Sequence, residues 1–192
     1  MTQETPKRSV LAEVRGLLPP RPLTTREATA VLERQASRLL KLMDFAGPPV
    51  PMNELLAGLP RIVVQRSEGL ATSGRTQWDG VSWVMMVAAD EPHVRQRFTL
   101  AHELAHIVLH PISDIALPGS DHQTAEARLE ASCEYFAACL LMPRLWMKRA
   151  YFHNSIQDVP SLARLFGVSW LAMRIRLERL GFVAEIETRS TA

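Results

Sequence analysis

The sequence predicts an α+β fold, mainly helical with a small antiparallel β-sheet. Three observations carry this. Two stretches, 98–110 and 124–142, combine helical spacing of apolar residues with lengths beyond an ordinary strand. Two short segments, Arg61–Gln65 and Trp83–Ala88, are rich in β-branched or bulky apolar residues and read as strands. The segment 161–181 repeats a helix, glycine turn, helix pattern near the C-terminal end.

Taken in order, residues 1–22 are Pro-rich and charged and read as a disordered leader. Thr24 and Glu27 have the spacing of a capping box. It opens an amphipathic helix with Ala28, Val31, Leu32, Leu39 and Met43 inward, ending near Gly47. Asn53 is placed to cap a short helix running to Ala57. Between the two strand segments, Gly69–Gly80 supplies a further strand around Thr76 and Trp78, with a turn at Asp79-Gly80. Phe98 to His110 contains neither Gly nor Pro, and Pro111 stops the helix. The connection 111–123 has surface composition and is placed to border a cleft. The resulting organisation is a main domain over 23–150 and a helix-turn-helix-like segment over 151–192 packed on it.

Bulk properties narrow the function. At 192 residues and 47% apolar, the chain can bury one core. A net charge of +2 gives no strong bias towards nucleic acid or a membrane. No apolar run approaches a transmembrane span, and the N-terminus lacks an apolar secretory core. Cys133 and Cys139 lie six apart on one expected helix, too far round it for a bridge, and read as core residues in a reducing compartment. The cytoplasm is the expected location.

Chemistry concentrates in His102-Glu103-Leu-Ala-His106. Residues four apart share a helix face, so both histidines can reach one metal ion, and Glu103 is placed to act on a water without ligating the metal. Leu100, Leu104, Ile107, Val108 and Leu109 make this a buried helix, where histidines and a carboxylate require polar partners. A third ligand must come from further along. Helix 124–142 offers Glu126, Glu130 and Glu134, four apart on one face. Glu126 reads as a solvated edge; Glu130 sits where the helix becomes continuously apolar. The presence of Glu103 argues for catalysis, since a structural zinc needs no general base.

Arg97–His110, followed by Glu130-x-x-Cys-Glu-x-Phe-Ala-Ala-x-Leu-Leu-Met-Pro143, resembles the ImmA/IrrE family of zinc metallopeptidases. Pro49–Gln65, Ser73-Gly-Arg, Asp79-Gly and Trp83–Val87 resemble the family's short helix, first strand and hairpin, so the likeness runs from about residue 25 to 182. The resemblance implies a metallopeptidase fold with His102, His106 and Glu130 as zinc ligands and Glu103 as general base. It also implies a narrow regulatory substrate, a helix-turn-helix repressor of a mobile element or stress response. Two departures stand out: Ala105 replaces a common Gly, and Glu134 replaces the usual Asn. Glu134 can orient His102 or His106 by accepting a ring N–H, or compete with Glu130 as ligand. Two histidines and a carboxylate suit Zn2+ and also Mn2+ or Fe2+.

A competing reading rests on the C-terminal segment. From Arg144 to Arg179 there are seven basic residues against Asp158 and Glu178, and Arg174, Arg176 and Arg179 can meet phosphates or base edges. On that reading the chain is a DNA- or protein-binding transcriptional regulator with a structural zinc site. Trp170 at the start of the second helix favours packing instead, as does the family resemblance. A protein substrate is therefore the principal expected partner, direct DNA contact the secondary one, and nothing points to a membrane.

Overall fold

The computed structural model describes residues 9–182. In chain order the elements are α1 (Val10–Arg15), α2 (Thr25–Leu42), α3 (Met52–Ala57), β1 (Ile62–Ser67), β2 (Gly74–Trp78), β3 (Trp83–Ala88), α4 (His93–Leu109), α5 (Ser113–Ala116), α6 (His122–Leu141), α7 (Arg144–Lys148), a π-helical turn (Arg149–His153), α8 (Val159–Phe166) and α9 (Trp170–Leu180). Helix α6 packs on α4 and α2, while β2 and β3 lie against α4. This is the mainly helical α+β architecture expected from the sequence.

Helix α2 begins as its capping residues require. The Thr24 hydroxyl accepts from the Glu27 N–H, and the Glu27 carboxylate accepts from the Thr24 N–H at 2.9 Å. Its buried face, including Val31, Leu32, Ala36 and Leu39, joins the core. Helix α6 is capped in the same manner by Asp121 and Thr124. The turn at Asp79-Gly80 is also as expected. Asp79 accepts from the Val81 and Ser82 N–H groups, and Gly80 takes φ 101°, a left-handed value that disfavours a side chain.

The sheet corrects one expectation. Its order is β1-β3-β2, and it is mixed rather than antiparallel: β1 runs parallel to β3, with Ile62 opposite Trp83, while β2 is antiparallel to β3. Alternation of apolar residues reports a buried face, whereas pairing direction depends on how the chain returns between β1 and β3.

The expected disordered leader is also corrected for residues 9–22. Leu11, Val14 and Leu18 are core residues. Arg15 of α1 donates to the Ile107 carbonyl at 2.6 Å in the last turn of α4, and Glu13 pairs with Arg38 of α2. Residues 1–8 lie outside the described residues. Smaller differences concern helix starts. Pro51, not Asn53, precedes α3, and Asn53 instead accepts from Arg66 at 2.7 Å. Helix α4 starts at His93, a turn earlier than the motif suggested. The connection 111–123 contains the short α5, whose Ser113 and Ala116 are buried.

Helices α8 and α9 form the expected pair, joined at Gly167 with φ 63°; residues 183–192 of that segment lie outside the described residues. Leu162, Phe166, Met173 and Leu177 bury its apolar face. Of its arginines, Arg176 is committed to the interior. Arg176 is 1% exposed, donating to the Met142 carbonyl at 3.1 Å and to Glu33 of α2 at 2.6 Å. Arg179 lies over the Tyr135 ring and Arg174 over Trp170. Arg176 is thereby removed from any role in phosphate contact.

Replacing Arg176 by Leu strands the half-buried Glu33 carboxylate and the Met142 carbonyl. We expect a loss of about 3–5 kcal/mol in denaturant unfolding, against about 0.5 kcal/mol or less for Arg174→Ala. The capping box of α2 adds an acid dependence. The Arg21 hydrogen bond, then the Thr24 backbone and hydroxyl, hold the Glu27 carboxyl down to about 2. Its contribution is therefore complete above the ordinary value of 4.5 and lost as pH falls through about 2. Melting curves across that window should drop more steeply for the wild type than for Glu27→Gln.

Candidate metal centre

The His102–His106 spacing puts both rings on the face of α4 turned towards α6, where Glu130 meets them. His102 Nε2 lies 3.3 Å from one Glu130 oxygen and His106 Nε2 lies 3.3 Å from the other. The two Nε2 atoms are 3.1 Å apart. Metal–nitrogen bonds of about 2.0–2.1 Å in a tetrahedral site place neighbouring ligand atoms about 3.3 Å apart, so this triangle has the size a zinc-like ion requires.

The donor set points the same way. Two ring nitrogens and two carboxylate oxygens converge on one point with too few protons among them to satisfy every lone pair. Burial pushes the His106 imidazole below its usual range, against the pull of Glu130, and a neutral ring is the ligating form. Solvent reaches the cluster from the α6 side, because the Glu130 side chain is 50% exposed while those of His102 and His106 are 19% and 28%. Three protein donors with an open side can hold a catalytic metal; a structural site is normally closed by a fourth.

Glu103 follows His102 about 100° round the helix, near enough to feel the charges of His106 and Glu130, and is 7% exposed. Burial pushes its carboxyl above the usual range, with the nearby Thr76 hydroxyl and His106 partly offsetting this. Strand β2 closes over it. A Cβ on Gly74 would lie 2.4 Å from Thr99 Cγ2, 3.0 Å from the Met86 carbonyl oxygen and 3.3 Å from Glu103 Oε1. Only a glycine lets the strand pass this near to α4. Sequence reading places Gly74 and Thr76 in a strand without a role at the site. A glycine inside a strand pattern is the available signal of close backbone approach.

The structure does not bring Glu134 to the histidines. It is exposed on α6, one turn beyond Glu130, and makes no hydrogen bond with either ring. The cluster is formed by His102, His106 and Glu130, without Glu134. Glu126 is the solvated edge residue expected, 3.9 Å from exposed His122. Among other candidate proton donors, His110 packs edge-on against Trp83 and Tyr135 donates to Glu33. His153 is exposed in the π-helical turn, so none of these touches the cluster.

The IrrE N-terminal-like domain family (Peptidase_M78) matches residues 60–178, which include the whole cluster. No curated protein sequence matches the chain. Among solved structures, a Mycobacterium tuberculosis transcriptional regulator has a similar fold, with a TM-score of 0.63 and 20% identity. The match covers 89% of this chain and 52% of that one, so the chain spans about half its length.

Elemental analysis should find near-stoichiometric divalent metal in the wild type. Glu130→Ala is expected to weaken zinc affinity by more than about 100-fold, beyond the 10–100-fold typical of an outer-sphere partner. Glu134→Gln should leave it unchanged. Metal retained in Glu130→Ala would place the third ligand elsewhere.

Proposed function

The chain belongs to the IrrE N-terminal-like (Peptidase_M78) family, and from that premise we propose that it is a zinc-dependent endopeptidase acting on a regulatory protein. The observation that carries this reading is the pairing of an open three-donor cluster with a buried, otherwise uncommitted carboxylate at Glu103. In this reading His102, His106 and Glu130 hold the metal. When bound, it supplies Lewis acidity, polarising the peptide carbonyl and making water acidic enough to attack near neutral pH.

The remaining work falls to Glu103. Its raised proton affinity suits a group that accepts a proton from water and then delivers it to the departing amine. The close approach of Gly74 sets the carboxylate against β2. Strand β2 is an edge strand, so its outer backbone groups are free to pair with an extended peptide. The net result is hydrolysis: water adds across one C–N bond, giving a carboxylate and an amine.

We assign the substrate to the helix-turn-helix repressors, following the family resemblance, and the location to the cytoplasm, in keeping with two buried free cysteines. Among the described residues no helix is long and apolar enough to cross a membrane. The alternative, a DNA- or protein-binding regulator with structural zinc, is disfavoured by the burial of Arg176, which is committed to Met142 and Glu33.

The test is Glu103→Gln. The variant should bind zinc as the wild type does while losing repressor cleavage by about 10²–10⁴-fold. Unchanged repressor cleavage would sink the general-base assignment. Absence of cleavage in the wild type, with metal bound, would favour the regulator reading.

A further inference from the structure

A groove of about 570 Å³ opens between α4, α6 and α9. Its walls include Val94 and Phe98 of α4, Glu134 and Ala138 of α6, and Leu171 and Ile175 of α9. Leu171 is 52% exposed and Ile175 37%, an unusual exposure for two large aliphatic side chains one turn apart.

The groove shares its α4 and α6 walls with the two helices that carry the cluster. Phe98 lies one turn from His102 on the same face of α4, and Glu134 one turn from Glu130 on α6. Val94 and Ala138 lie a turn further. A helical rise of about 1.5 Å per residue sets these two levels about 6 and 12 Å from the metal-binding cluster. An extended peptide advances about 3.3 Å per residue, so the groove spans the second to fourth residues from a bond held at that cluster.

The charges at its rim are unequal in availability. Arg95 lies 3.8 Å from Glu91, Arg176 is paired with Glu33 at 2.6 Å, and the exposed Arg179 lies over the Tyr135 ring. Glu134 makes no hydrogen bond or ion pair among the described residues. A free carboxylate therefore stands between the metal centre and the apolar floor.

We propose that this groove is the specificity subsite of the peptidase, taking a large apolar side chain two to four residues from the scissile bond. Glu134 selects a basic residue in the intervening stretch. The assignment rests on the peptidase reading for the word scissile, but the recognition itself is a binding property. Glu134 thus acquires a role at the position where it departs from the family motif: it reads substrate charge rather than orienting a ligand.

The experiment uses the full-length, zinc-loaded Glu103→Gln protein to select from short synthetic peptides randomised at central positions. The wild type is then tested for cleavage of the selected peptides. The selected pool should be enriched in a large apolar residue followed or preceded by Lys or Arg. Ile175→Lys and, separately, Leu171→Lys should weaken binding of those peptides by about tenfold or more. Zinc content in each variant should stay at the parent level, which shows that the fold survives. Leu145→Lys, at a still more exposed apolar position on α7 away from the groove, should change nothing. Glu134→Lys should switch the charge preference from basic to acidic.

Selected peptides that bind but are not cleaved by the wild type would overturn the peptidase reading and leave the groove as a peptide-binding site. Cleavage without apolar enrichment, or enrichment indifferent to Ile175 and Leu171, would overturn the groove assignment alone. That assignment also falls if Ile175→Lys leaves peptide binding intact and instead dissociates a dimer, since the groove is then a contact between copies. Neither binding nor cleavage overturns both.

Discussion

The candidate metal centre depends on how closely α4 and α6 pack. Glu130 reaches both histidines only because the backbones of the two helices approach across a seam of small residues. Ala101 and Ala105 of α4 and Cys133 and Ala137 of α6 are all fully buried. Larger side chains there would separate the helices and move Glu130 out of range, since close-packed interiors do not absorb extra volume without backbone shifts. The family's common Gly at position 105 belongs to the same constraint, and Ala105 satisfies it with one methyl group. Cys133 fits this description too: burial pushes its thiol well up, so it behaves as a small apolar residue at the base of the site.

Four arginines lock the elements around that seam. Arg15 donates to Ile107 at the end of α4, and Arg97 to Gly167 after α8. Arg176 donates to Met142 at the end of α6, and Arg128 to Leu23 in the connection before α2. The last carbonyls of a helix have no partner within it, and cationic donors suit the negative end of the helix dipole. These bonds give buried carbonyls a partner and tie α1, α4, α6, α8 and α9 into one frame. The helix-turn-helix pattern at the C-terminal end is thereby turned to a structural use. Arg176 looks like a nucleic-acid contact by charge alone, yet it is one of the most buried large side chains described.

The site joins a rigid half to an accessible half. Glu103 is nearly buried where Gly74 brings β2 close to α4, while Glu130 remains half exposed. Such an arrangement keeps the Glu103 carboxylate in low dielectric and leaves the Glu130 side of the candidate metal-binding cluster open to solvent.

How much of this was legible in the sequence follows from the range of each interaction. The capping box at Thr24 and Glu27, the turn at Asp79-Gly80, the helix carrying His102 and His106, and the break at Gly167 are set by residues within four positions of one another. Local sequence alone determined them. The mixed sheet, the ordered α1, the isolation of Glu134 from the histidines and the burial of Arg176 were decided only by tertiary packing. Each depends on a partner far along the chain: β3 for β1, Ile107 for Arg15, Glu33 for Arg176. A pattern of apolar and charged residues states which face of an element is buried, but not what lies opposite it. Even Glu130, which the motif singled out, meets both histidines only because α6 lies across α4 with its glutamate level with both rings.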